Sequence, residues 1–389
     1  MRNFSFRNAT RIIFGKGTEN NVGEEILPYS SKVLLVYGGG SIKLSGLYDR
    51  VVESLRKSGI DFMELPGVKP NPRLELAIEG VRICKEHGIG FILSVGGGSA
   101  GDTAKAISAG ACYDGELWDL FEGKAKITEV LPVGIILTLP ATGTESSTST
   151  ILTKEEGLLK IGMSSELLRP AFAILNPELT FTLPPYQTAA GACDIMGHLI
   201  ERYFTNEPDV DFTDRLIEAT LKTIIHHAPI VLREPSNYAS RAEIMWAGTF
   251  AHNGLLSTGR VGDWASHAIE HELSALYDIA HGAGLSIIYP AWMTHVYRHN
   301  VNRFMQFAVK VWDVDMSFDS PEAIALEGIA RMKEFFRKLG LPVSFQDADL
   351  PEYDIEEMAD KCTKSGTMEI GNLVKLDKSD VIEIYKMAK

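Results

Sequence analysis

Along the first half of the chain, short apolar runs alternate with stretches in which apolar residues recur every three or four positions. Lys32-Val-Leu-Leu-Val-Tyr37 is one such run; it stops at glycines, and a helical stretch over 46–57 follows. Asp61 to Leu65 reads as the next strand, 73–87 as a helix and Phe91-Ile-Leu-Ser-Val95 as a third strand. A further run covers 131–139. Such alternation implies βαβ units and a mainly parallel sheet. From 151 to 175 the pattern shortens to small strands, with a hairpin turning at Lys154-Glu-Glu-Gly157.

Beyond Leu183-Pro184-Pro185 the pattern changes, and 187–205, 212–232, 241–256, 265–276, 282–296, 320–339 and 379–387 read as helices. A chain of 389 residues exceeds what one hydrophobic core usually supports. The expected organisation is an α/β nucleotide-binding domain over 1–184 and an all-helical domain over 185–389. A cleft between two such domains is the expected place for cofactor and substrate.

Composition narrows the function classes. Apolar content of 45% and charged content of 23% suit a soluble globular protein. A net charge of −13 argues against a nucleic-acid partner, which selects a basic face. No apolar run approaches the ~20 residues that span a bilayer, and residues 1–17 lack the apolar core of a signal peptide. Four widely separated cysteines, Cys84, Cys112, Cys193 and Cys362, form no disulfide framework. A cytoplasmic protein with no membrane partner is expected, assembled as a homodimer. Only three glutamines occur, a composition that suits a heat-adapted source.

Two of the strands end in one tetrapeptide, Gly38-Gly39-Gly40-Ser41 and Gly96-Gly97-Gly98-Ser99. Glycine lets a backbone turn tightly and approach a pyrophosphate, whose charge meets the amides of the next helix. One such loop is equally well a plain tight turn; two of identical sequence after apolar strands favour a nucleotide. Gly96, Gly98 and Gly101 satisfy G-x-G-x-x-G, but without the acidic strand end that an ordinary dinucleotide fold places some 20 residues later. An NAD enzyme usually carries Asp or Glu where this chain has Tyr37-Gly38. With Ser41 and Lys43 just beyond, the first loop is expected to prefer NADP(H) over NAD(H).

The metal-binding capacity is concentrated in two segments. Asp194 and His198 are one helical turn apart and face the same way; His267, His271 and His281 follow in one short stretch. A carboxylate with imidazoles suits a borderline divalent ion such as Fe²⁺ or Zn²⁺. A rival reading exists, because His267-Ala-Ile-Glu270-His271 spells the H-x-x-E-H pattern of inverted zinc peptidases. On it, Glu270 is the general base of a zinc hydrolase and the glycine loops stay unexplained.

At these residues the chain resembles the iron-containing alcohol dehydrogenases, more closely their butanol dehydrogenase and NADPH-dependent aldehyde reductase branch. Gly96-Gly-Gly-Ser99-Ala-Gly-Asp102-Thr-Ala-Lys105 is similar to the family's G-G-G-S-x-x-D-x-x-K element, and Thr138-Leu-Pro140-Ala-Thr142-Gly143-Thr144-Glu145 to its T-x-P-[TA]-T-G-[TS]-E element. Gly197-His198, His267-x-x-x-His271 and His281-Gly282 resemble its metal region. The resemblance implies a Rossmann-like domain, a helical domain and one divalent metal, with Asp194, His198, His267 and His281 as ligands. It places His271 beside the metal, where we expect it to relay a proton. It assigns cofactor contacts to Gly38, Ser41, Asn71, Gly97, Gly98, Ser99, Asp102, Thr138, Thr142, Ser147 and Lys160, to which the loop chemistry adds Gly39, Gly40 and Lys43. One departure is Asn176-Pro177, where many members have Asp-Pro. The expected activity is NADP(H)-linked, metal-dependent oxidation of small primary alcohols of the butanol kind and reduction of their aldehydes. The alternatives are a polyol (glycerol or diol) dehydrogenase and the zinc hydrolase.

Overall fold

In the computed structural model, residues 1–316, 320–350 and 354–389 are described. Eight strands occur among them: β1 (Arg11–Phe14), β2 (Lys32–Tyr37), β3 (Asp61–Leu65), β4 (Phe91–Gly96), β5 (Val133–Leu137), β6 (Ser149–Lys154), β7 (Leu159–Ser164) and β8 (Phe172–Leu175). Six of them form a wholly parallel sheet in the order β1-β8-β5-β4-β2-β3, while β6 and β7 make an antiparallel hairpin. The inner strands β8, β5, β4 and β2 are buried on both faces, which is why they read as nearly unbroken apolar runs, while the edge strands β1 and β3 are partly exposed. Val33, Leu35, Phe91, Leu93 and Ile174 meet one helical layer, and Leu34, Val36, Ile92, Ile135 and Ala173 meet the other. This is the period of two expected of a strand.

The strand order fixes where a ligand belongs. From β2 the chain moves outward to β3, then returns to place β4 on the opposite side of β2. That reversal is a switch point, and open parallel sheets bind ligands outside the strand ends there. Tyr37 and Val95 are partners in the β2–β4 register, so both glycine loops leave adjacent strands at the same edge.

By contacts the chain forms two compact units. One comprises Arg7–Leu183 with Pro235–Asn253; the other comprises Met1–Phe6, Pro184–Glu234 and Gly254–Lys389. The helix Tyr238–His252, although it follows residue 184, packs with the α/β unit, where Met245 joins the core. The second unit is built of helices around Pro185–Tyr203, whose residues from Thr188 onward are all buried. A helix buried all round is central to its unit.

The departure at Asn176 has a local cause. Asn176 caps the short turn Pro177–Thr180 by accepting from Glu178 N, and its amide donates to buried Glu19 at 3.0 Å. An aspartate could supply the cap but would place a second carboxylate against Glu19.

Candidate metal centre and nucleotide loops

Asp194 and His198 occupy successive turns of Pro185–Tyr203, His267 and His271 lie on Ala265–Tyr277, and His281 is the first residue of His281–Val296. Donor atoms of Asp194, His267 and His281 all lie within 4.8 Å of one another. Asp194 Oδ1 is the hub: His198 Nε2 is 3.7 Å away and His281 Nε2 3.8 Å. Bonds of about 2.0–2.2 Å in a tetrahedral shell put neighbouring donors about 3.4 Å apart, so the set is nearly gathered for an ion. The imidazole centroids of His198 and His267 are 5.1 Å apart, and those of His267 and His281 are 5.2 Å apart.

Donor chemistry fits a divalent ion as well. His267 Nδ1 is 2.7 Å from Glu201 Oε1, while its Nε2 is buried with no hydrogen-bond partner among the described residues. An uncompensated buried ring nitrogen is costly unless something ligates it. His281 Nδ1 is held by Glu270 Oε2, which turns its Nε2 toward Asp194. A second grouping of Glu270, His271 and His281 also lies within 4.8 Å.

Trp264 stands beside this cluster, its ring centroid 5.3 Å from that of His267 and 6.3 Å from that of His198. Its backbone is left-handed (φ 68°), rare for a bulky residue. Glu201 accepts from Trp264 N, and Arg202 lies 4.8 Å over the indole.

In the other unit, Gly98 opens the helix Gly98–Ala111, and Gly38–Gly40 lead into the short helix Ser41–Leu44. A side chain on Gly98 would meet Thr142 at 2.5 Å, whereas Gly39 and Gly40 have open space around them. Thr138 N bonds back to Gly96 O at 2.9 Å, tying the two motif segments together. Lys43 Nζ lies 5.4 Å over the Tyr37 ring and 4.7 Å over that of Tyr48. Glu64, on neighbouring β3, accepts phenolic protons from both tyrosines. Asn71 is left-handed (φ 50°), and its Oδ1 accepts from Lys160 Nζ at 3.0 Å, so these two predicted residues meet.

Asp102 and Ser147 face inward. Thr144 donates to Asp102 Oδ1 at 2.7 Å, and Ile151 N to its other oxygen at 3.4 Å. Lys105, wholly buried, donates to Ser147 O and Oγ and to Ser149 O at 3.0–3.1 Å. Burial pushes the Asp102 carboxyl up to about 6 and the Lys105 ammonium down to about 8, with their mutual attraction opposing both shifts. Glu145, also buried, accepts from Thr249 at 2.6 Å.

Comparison with known proteins places this geometry. The family model described as iron-containing alcohol dehydrogenase matches residues 9–177, and that for the C-terminal part of the same family matches 188–389. A probable NADH-dependent butanol dehydrogenase 1 of Bacillus subtilis (strain 168) is 46% identical, covering 99% of each chain. The chain belongs to the iron-containing alcohol dehydrogenase family. The NADPH-dependent aldehyde reductase YqhD of Escherichia coli (strain K12) is 37% identical over 95% of each chain. The crystal structure of NADH-dependent butanol dehydrogenase A from Thermotoga maritima superposes with a TM-score of 0.96, at 43% identity, over 100% of this chain and 99% of that one.

For an iron-containing alcohol dehydrogenase the hydrolase reading loses its ground. Glu270 is fully buried, with one oxygen on Ser274 and the other on His281 Nδ1, so it is not poised to activate water. Glu201 is not among the residues expected at the site. Its signal was present: residues 194, 198 and 201 of this dehydrogenase follow i, i+4, i+7 and share one helical stripe.

Proposed function

We propose that this protein interconverts small primary alcohols of the butanol kind and their aldehydes, using NADP(H) in preference to NAD(H) and one divalent ion, Fe²⁺ or alternatively Zn²⁺. The observation that carries the reading is the gathering of Asp194, His267 and His281 donors within 4.8 Å, with His198 one turn from Asp194, in a member of this family. These four side chains are the proposed ligands. When bound, the ion supplies Lewis-acid stabilisation of negative charge on the substrate oxygen. Butanol-like substrates follow the named activities of the relatives from Bacillus and Thermotoga.

The chain's own residues do the rest. Gly38–Ser41, Lys43, Asn71, Gly97–Ser99, Thr138, Thr142 and Lys160 are proposed to hold the nucleotide at the switch point. Asp102 and Ser147 are proposed to belong to the same set, each tied to its loop by an internal hydrogen bond. Preference for the 2′-phosphate is supported by the absence of a carboxylate at Gly38 and by Lys43 just beyond it. His271, half-buried on the same helix as His267, is proposed to relay a proton between the substrate and solvent. The indole of Trp264, beside His198 and His267, is proposed to border the substrate.

The test is NADPH and NADH absorbance with a panel of aldehydes and diols, using chelated enzyme with and without added Fe²⁺ or Zn²⁺. Metal-dependent oxidation of NADPH by butanal is expected; activity unaffected by chelation, or confined to glycerol and diols, overturns the reading. We also propose a cytoplasmic homodimer, in keeping with four unbridged cysteines, three of them buried, and the family resemblance; light scattering measures the assembly.

A further inference from the structure

Two carboxylates outside the ligand set each hold one imidazole of the centre. Glu201 is fully buried, seven residues after Asp194 on the same stripe. Its Oε1 lies 2.7 Å from His267 Nδ1 and also accepts from His267 N at 3.1 Å and the Tyr289 hydroxyl at 3.2 Å. Its Oε2 accepts from Trp264 N. Glu270, equally buried, sets Oε2 on His281 Nδ1 and Oε1 on the Ser274 hydroxyl. It cannot swing away easily, because Gly284 packs so closely that a Cβ there would lie 2.3 Å from Oε1.

We propose that Glu201 and Glu270 are positioning residues that fix His267 and His281 as Nε2 ligands. The proposal rests on the ligand set given above. An ionised carboxylate can only accept, so each Nδ1 carries the proton and each Nε2 presents its lone pair. The Nε2 atoms are the ones turned inward: His281 Nε2 is 3.8 Å from Asp194 Oδ1, and His267 Nε2 is buried with no hydrogen-bond partner among the described residues. A carboxylate behind an imidazole also raises its basicity as a ligand. Two histidines are thereby set in tautomer and orientation before an ion arrives.

Metal affinity tests this directly. Full-length parent, E201Q and E270Q, stripped of metal, are titrated with Zn²⁺ and Co²⁺ against a chromophoric chelator, and the Co²⁺ visible spectrum is recorded. Each variant is expected to bind about 10- to 100-fold more weakly, with a shifted Co²⁺ spectrum. Parent affinity and spectrum in both variants overturn the proposal. Should a variant fail to fold, ¹⁵N spectra of the Zn²⁺-loaded parent decide: His267 and His281 are expected to keep a proton on Nδ1, and metal on either Nδ1 overturns the inference. H267A and H281A are the control for the ligand set. If they bind Zn²⁺ like the parent, the set itself is wrong; if they lose it while E201Q and E270Q do not, only the positioning role fails.

Discussion

Gly282 lies flush against the carbonyl of Ala190, so closely that a methyl group on Gly282 would sit 1.9 Å from that oxygen. The contact brings the first turn of the helix that begins at His281 against the helix that carries Asp194. Only a residue without a Cβ fits there. Gly282→Ala must therefore move the His281 helix outward, at a cost of about 3 kcal/mol or more given backbone overpacking. A clearly lower melting temperature and loss of bound metal are expected by calorimetry and metal analysis. Parent values in both would show that the helix end can yield.

Removing a proposed ligand is expected to remove the ion. His198→Ala and His281→Ala should each leave less than one metal per chain and lower butanal turnover by more than about a hundredfold. A purified variant with full metal and parent turnover would exclude that residue from the set. His198 is the more searching case, since it stands outside the compact group of three.

Cofactor preference turns on the first glycine loop. NADPH is expected to bind about ten- to a hundredfold more tightly than NADH, equivalent to roughly 1.4–2.7 kcal/mol. Gly38→Asp should reverse the order, because a carboxylate accepts the ribose 2′-hydroxyl and repels a 2′-phosphate. Dissociation constants for both cofactors in both proteins measure this; equal constants in the parent would remove the stated role of Lys43.

His271→Gln should keep its metal and lose turnover about ten- to a thousandfold. The deficit should shrink when imidazole is added as an exogenous proton carrier. Loss of metal in this variant, with His281→Gln retaining it, would move the ion to the grouping of Glu270 and His271.

Asp102 gives the α/β unit a pH signature. Burial raises its carboxyl from 3.8 to about 6 in the folded chain. Between those values the native state binds more protons than the unfolded state, so stability from this group falls as pH rises, by up to about 3 kcal/mol. Asp102→Asn lacks this component. The melting temperature of the variant relative to the parent should therefore rise from pH 4 to pH 7, whatever constant penalty the lost carboxylate brings. A difference that is flat across this range would mean that Asp102 titrates normally in the native protein.

Much of this architecture is written in periodicity. β2 begins and ends where its apolar run does, and β4 runs one residue past its own, because parallel strands buried on both faces tolerate few polar residues. β1 went unread, since four residues with two half-buried and two exposed carry no pattern. The helix Val301–Trp312 was legible but overlooked: Phe304, Phe307, Ala308 and Val311 are buried at helical spacing, and Asn300 caps it. At the candidate metal centre, the types and spacing of Asp194, His198, His267 and His281 pointed to one place, and the fold gathers donors of Asp194, His267 and His281, with His198 3.7 Å from Asp194. For Glu201 only the stripe with Asp194 and His198 is local; its pairing with His267, 66 residues away, follows from no local rule.

The excursion of Tyr238–His252 into the α/β unit has a consequence for recombining such genes. The polypeptide passes from one unit to the other at four junctions, after Phe6, Leu183, Glu234 and Asn253. Thr249, which donates to buried Glu145, and Met245, which joins the sheet's core, both arrive on that late segment. A hybrid joined at residue 184 to a relative would thus supply a foreign helix to its own nucleotide loops. Chimeras should keep 235–253 with 7–183, so the exchangeable module of this enzyme is a pair of separated segments.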